Sequence, residues 1–170
     1  IQGDSLRVQF PNYNKVVSNL PYQISSKITF KILERPFDLA VLMYQREFAQ
    51  RMASKPGTRD YGRLTLNVGL RAKAEILERV PRSAFIPRPR VESAIVRLRP
   101  RKDRPPVDEI LFGDLTRNLF NQRRKKVKRS LAMMKVSPEA ISEVKPSILE
   151  KRPGDLTPED VVELANAISS

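Results

Sequence analysis

Apolar residues recur along the chain in two rhythms, and the change from one to the other divides it. In the first hundred residues, short apolar runs alternate with helically spaced stretches. Lys15-Val16-Val17-Ser18 predicts a short strand that ends at Asn19-Leu20-Pro21-Tyr22. From Ser25 or Ser26, Ile28, Ile32 and Leu33 recur at helical spacing until Pro36, whose ring ends a helix and restricts the residue before it. Asp38 to Tyr44 is an apolar run of strand length, as expected of a strand covered on both faces. Glu47 to Ala53 suits a helix, broken by Pro56-Gly57. After the turn-like Asp60-Tyr61-Gly62, Leu64 to Leu70 predicts a helix and Ala74 to Val80 a strand. Ser93 to Leu98 predicts the last strand, with Arg97 and Arg99 alternating outward. The first two strands are expected to run parallel and the last two to form an antiparallel pair. Strands alternating with helices in this way indicate a doubly wound α/β sheet.

Pro100 to Pro106 is charged and proline-rich, and its interior, residues 101–106, reads as a linker. Beyond it only helical rhythm remains. Leu111, Leu115 and Leu119 share one face, and Val127 and Leu131 continue a second. Ser137-Pro138-Glu139 and Thr157-Pro158-Glu159 each set a capping residue before a proline at the first helical position. Val161, Leu164, Ala165 and Ile168 make the apolar stripe of a last helix. The expected organisation is a partial α/β domain over 1–100 and a helical domain over 107–170.

Composition adds a partner and removes several chemistries. Lys and Arg number 32 against 19 Asp and Glu, a net charge of +13, which favours a polyanionic partner and nucleic acid above all. Cysteine and histidine are absent. Disulfides, thiolate or imidazole metal ligands, cysteine nucleophiles and histidine acid–base catalysis are therefore excluded, and no metal is expected. Methyl transfer from a sulfonium needs none of them. No apolar run reaches the length of a membrane span.

Asn19-Leu20-Pro21-Tyr22 follows a strand and precedes a helix, at the carboxyl end of the sheet where open α/β folds bind ligands. It is of the kind used by amino-group methyltransferases. An Asn oxygen and the next backbone carbonyl can accept both N–H bonds of an exocyclic amine, and the proline holds that carbonyl rigidly. The tyrosine offers a stacking face for an extruded base. Phe85, at the start of the stiffened loop Phe85-Ile86-Pro87-Arg88-Pro89-Arg90, is a candidate second face, and its prolines could guide Arg88 and Arg90 to phosphates. Arg123-Arg124-Lys125-Lys126 with Lys128 and Arg129 puts six cations in seven residues, either a solvated helix face or an RNA contact.

Together, N-L-P-Y-x-I-S-S, Q-R-E-F-A-Q-R-M at Gln45 to Met52 and F-x-P-x-P-x-V-x-S-A from Phe85 resemble the small-subunit ribosomal RNA adenine dimethyltransferases, the KsgA group, in an archaeal spelling. The resemblance implies a class I, Rossmann-like methyltransferase sheet followed by a small all-helical RNA-binding domain. It implies methyl transfer from S-adenosylmethionine to N6 of two adjacent adenosines in the 3′-terminal hairpin loop of small-subunit rRNA, in a cytoplasmic protein working on a pre-30S-type particle. Asn19 would meet the cofactor and the target amine, and Leu20 would supply the carbonyl presented by Pro21. Tyr22 and Phe85 would flank the adenine, and Asp4 would contact the cofactor adenine. Rival readings are the macrolide-resistance methyltransferases of large-subunit rRNA, a non-catalytic rRNA-binding or assembly factor of the same fold, and a stand-alone RNA-binding module.

One departure stands out. The family's G-x-G-x-G cofactor loop, and the acidic residue after its second strand, are not in this sequence, whose six glycines fall in no such spacing. The chain is therefore expected to be an N-terminally truncated fragment, inactive and without cofactor alone. The intact protein is expected to be a monomer, whereas the fragment is expected either to self-associate through the edge of its 15–18 strand or to fray there.

Overall fold

A strand turns alternate side chains to opposite faces, and the sheet sorts its apolar residues by that period. The computed structural model describes residues 2–169 and builds the sheet from Lys15–Asn19 (β1), Leu39–Gln45 (β2), Ala72–Val80 (β3) and Ser93–Pro100 (β4), in the order β1-β2-β4-β3. β1 and β2 are parallel; β4 runs antiparallel to both β2 and β3, as expected for the first and last pairs. Ala40, Leu42 and Tyr44 of β2 are wholly buried opposite Leu98, Val96 and Ala94 of β4.

Two helices, Ser25–Leu33 (α1) and Arg46–Met52 (α2), cover that face. The Tyr44 hydroxyl lies 2.7 Å from Thr29 Oγ1 of α1, and Phe48 of α2 packs on its ring with centroids 5.1 Å apart. Thr29 already donates its one proton to the Ser25 carbonyl at 2.6 Å, so Tyr44 must be the donor to Thr29. Burial pushes the Tyr44 phenol up to about 12. Leu39, Val41 and Met43 point to the other face and are only half-buried, while Val17 beside them on β1 is 82 % exposed. The run at 38–44 predicted cover on both faces; the helices of this unit lie on one. β1 keeps all five residues in register with β2 and is not frayed.

The second unit is helical. Arg63–Gly69 (α3), Glu109–Asn121 (α4), Val127–Met133 (α5), Pro138–Glu143 (α6), Pro146–Leu149 (α7) and Pro158–Ser169 (α8) enclose one apolar core. Leu115, Leu119, Val127, Leu131, Val161, Leu164 and Ala165, on the faces that the spacing had marked, are all fully buried there, while Leu111 and Ile168 are partly buried and Phe112, outside the marked positions, is fully buried. Asp108 caps α4 by accepting from the N–H groups of Ile110 and Leu111 at 2.8 and 3.1 Å. Ser137 caps α6, and Thr157 with Asp160 closes a reciprocal box on α8.

The boundary differs from the expected one. Residues up to Ala53 with Arg71–Lys102 form the first unit, and Ser54–Leu70 joins the residues from Asp103 onward in the second. Tyr61, Leu66 and Leu70 belong to the helical core, and the Tyr61 hydroxyl donates to the Leu156 carbonyl at 2.5 Å. The Gly57 N–H reaches the Gly154 carbonyl at 2.8 Å. At Gly69 a Cβ would come within 3.0 Å of Pro158 Cγ, so this close approach of α3 to α8 favours glycine.

Candidate functional site

Register assembles the site. β1 and β2 are parallel, so Asn19 and Gln45 both end strands at the carboxyl edge of the sheet. Antiparallel β4 begins at that edge, with Ser93 opposite both Gln45 and Val80, the last residue of β3. The turn after β1, the start of α2 and the 81–92 loop therefore all leave from one edge. The Tyr22 hydroxyl and Ser93 Oγ lie 2.5 Å apart and tie the turn to the root of the loop.

Asn19, Leu20, Pro21, Tyr22, Phe85, Pro87 and Pro89 line one open cavity of about 200 Å³. Leu20 is buried and anchors the backbone there, while Asn19 is exposed. Among the described residues, no hydrogen bond engages the Asn19 side chain. The Pro21 carbonyl accepts from the Ile24 N–H at 3.1 Å, opening a short 3₁₀ turn at Tyr22–Ile24. Phe85 leaves another such turn, Arg82–Ala84, in extended conformation and is half-buried; the Ile86–Pro87 peptide is cis. The two motifs thus meet, although more than sixty residues separate them.

The other candidates are placed less uniformly. Asp4 opens a turn in which its carbonyl accepts from Arg7 and Val8, its Oδ1 accepts from the Leu6 N–H at 2.9 Å, and its Oδ2 lies 3.5 Å from Arg7 Nε. Asp4 is not among the residues lining the cavity. The turn is strapped to α1 by Lys31, whose Nζ donates to the carbonyls of Ser5 and Val8 at 2.8 and 2.6 Å. Arg88 and Arg90 are exposed on the loop.

The cation run, in the helical unit, is a turn at 123–126 followed by the first residues of α5 rather than one continuous helix face. Two of its members have structural work. Arg123 donates to the carbonyls of Thr58 and Arg59 at 3.0 and 3.1 Å, holding the 54–70 segment, and Lys126 pairs with Glu150. Arg124, Lys125, Lys128 and Arg129 are exposed and, among the described residues, outside any ion pair, although Lys128 lies near enough to Glu150 to help lower its carboxyl.

Sequence reasoning missed Ser93 and the pair formed by Arg46 and Glu92, because strand register brings them to the site from far along the chain. Spacing gave no sign of Arg123's backbone contacts.

The family described as Ribosomal RNA adenine dimethylase matches residues 1–168. The chain belongs to that family. A probable ribosomal RNA small subunit methyltransferase A of Methanothermobacter thermautotrophicus is 50 % identical over 99 % of this chain, and its counterpart in Thermococcus kodakarensis is 46 % identical over 96 %. The chain spans 63 % and 61 % of their lengths. Among solved structures, a dimethyladenosine transferase from Plasmodium falciparum is similar with a TM-score of 0.85 at 29 % identity, covering 96 % of this chain and 70 % of that one. The 23S rRNA methyltransferase ErmE follows with a TM-score of 0.68 at 25 % identity, covering all of this chain and 71 % of that one. The fold of this family is the expected Rossmann-like sheet with helices after it.

The residues present suit part of a methyl-donor site. Asp4 keeps Oδ2 outside any close hydrogen bond, an acceptor for an amine, and Asn19 offers both an acceptor and a donor.

Proposed function

We propose that the complete protein transfers methyl groups from S-adenosylmethionine to N6 of two adjacent adenosines in the 3′-terminal hairpin loop of small-subunit rRNA, acting in the cytoplasm on a pre-30S-type particle. The observation that carries this reading is the convergence of Asn19-Leu20-Pro21-Tyr22 and the Phe85 loop on one cavity, in a member of this family.

The adenine amine is a poor nucleophile because its lone pair is delocalised into the ring. Asn19 Oδ1 and the Leu20 carbonyl accept its two N–H bonds, which draws the nitrogen towards tetrahedral geometry and aims the lone pair. The Pro21 carbonyl is committed to Ile24, which leaves that of Leu20 for the task. Tyr22 and Phe85 hold the ring between them, with Ser93 fixing the tyrosine. Bound S-adenosylmethionine supplies an electrophilic methyl group on a sulfonium. Asp4 would help hold the cofactor at its adenine end, with Asn19 towards the reacting methyl group. The methylated nitrogen becomes an acidic ammonium and loses its proton to water, so no histidine is required.

The likeness to a 23S enzyme makes large-subunit RNA the informative control. Incubated with labelled S-adenosylmethionine, the complete protein should form N6,N6-dimethyladenosine at two adjacent positions of the small-subunit hairpin. Methylation of large-subunit RNA alone, or of neither, would overturn the reading.

A further inference from the structure

A second concavity, of about 380 Å³, opens on the same unit and shares the 81–92 loop with the first. Gln45 and Arg46 line it from the end of β2 and the start of α2, and Arg82, Arg90 and Glu92 from the loop. Its three arginines are in different states. Arg46 is engaged: its Nη1 meets Glu92 Oε2 at 2.5 Å, and its backbone N–H donates to the Glu92 carbonyl at 2.9 Å. This double contact pins the loop where it descends into β4. Arg46 holds the Glu92 carboxyl below the usual carboxylate range, with lesser help from Arg82 and Arg79.

Arg82 crosses the neck of the loop, its Nη1 donating to the Arg90 carbonyl at 3.3 Å. Arg82 and Arg90 are both exposed, and among the described residues neither forms an ion pair, although Arg82 lies near enough to Glu92 to help lower its carboxyl. The loop therefore presents Phe85, Pro87 and Pro89 to the first cavity from its tip, and the exposed guanidinium groups of Arg82 and Arg90, outside any ion pair, to the second from its neck, where Glu47 and Glu92 also line it. Because one loop lines both concavities, a nucleotide whose base enters the first can run its sugar–phosphate chain along the loop into the second. Guanidinium groups suit phosphates because several N–H donors in a plane can meet two oxygens together.

We propose that this groove is a phosphate track. Arg82 and Arg90 contact the backbone of the RNA strand flanking the target adenosine, while the Arg46–Glu92 pair sets the position of the loop between track and base cavity. The proposal rests on the reading of the first cavity as the adenine site, and it adds Arg82 as a contact residue with Arg46 and Glu92 as positioning residues.

The test is equilibrium binding of the complete protein to the small-subunit rRNA hairpin across a range of salt concentrations. Wild type is compared with Arg82→Gln, Arg90→Gln, Arg82→Lys and, as a control, Asn19→Ala. Each Gln variant should reduce the slope of log K against log salt by about 0.7 to 0.9, the release expected for one lost phosphate contact, whereas Arg82→Lys should hold it. Asn19→Ala should keep the wild-type slope while losing methylation. Unchanged slopes in both Gln variants would overturn the proposal, including in favour of a protein partner for this groove. An Arg82→Lys slope as low as that of Arg82→Gln would reduce Arg82 to a brace of the loop neck and overturn its assignment. Full methylation by Asn19→Ala would strike at the adenine-site reading instead, leaving the slopes to decide whether the groove holds RNA.

Discussion

Within Asn19-Leu20-Pro21-Tyr22 the side chains divide their roles by exposure. Leu20 is buried and fixes the backbone, so Leu20→Ala should destabilise the protein by about 2–5 kcal/mol, as for other large-to-small core changes, and lower its melting temperature. A melting temperature equal to wild type would show that Leu20 does not anchor the turn. Phe85 sits half-buried across the cavity, and Phe85→Ala should weaken capture of the extruded base. With 2-aminopurine at the target position, that variant should show a smaller fluorescence rise on binding and a higher KM for RNA; an unchanged rise would remove Phe85 from the base site. Asn19 and Phe85 were legible as candidates because each lies in a short motif, and the structure brings both to one cavity. Ser93 was not, since its contact with Tyr22 depends on the register that sets the start of β4 beside the end of β2.

At the scale of elements, strands and helices followed the apolar period closely, because each strand or helix buries one face. What the period does not say is against what. Tyr61, Leu66 and Leu70 look like any amphipathic segment, yet they pack into the helical core rather than onto the sheet between whose strands they occur in sequence. The cation run shows the same limit, since charge density hid the difference between braces and free cations. Replacing Arg124, Lys125, Lys128 and Arg129 with Gln should flatten the salt dependence of rRNA binding without lowering the melting temperature. Replacing Arg123 with Ala should lower the melting temperature, because the carbonyls of Thr58 and Arg59 lose their donor. An unchanged salt slope in the first variant would leave those four cations as a solvated surface.

Across the whole molecule, the +13 charge suits the RNA partner proposed above, and stability carries its own pH signature. Burial raises Tyr44 to about 12, and burial with Asp160 and Glu159 raises Tyr61 as well. A phenol kept neutral in the folded state stabilises fully below its unfolded value near 10, and that stability is lost as the pH climbs from there through the folded value. Tyr44→Phe should therefore lessen the fall in stability between pH 10 and 12; an equal fall in both proteins would mean that Tyr44 does not control it. The sheet face with exposed Val17 and half-buried Val41 and Met43 was not legible either, because a continuous apolar run does not reveal which of its two faces is covered. The central claim is that Asn19 aligns the adenine amine for methylation. Its most direct test is mass-spectrometric detection of N6,N6-dimethyladenosine in the small-subunit hairpin after reaction with wild-type and Asn19→Ala forms of the complete protein. Loss of an acceptor of this kind should slow turnover on the order of 10²–10³-fold with folding and RNA affinity intact. Dimethyladenosine formed at the wild-type rate by Asn19→Ala would contradict the account.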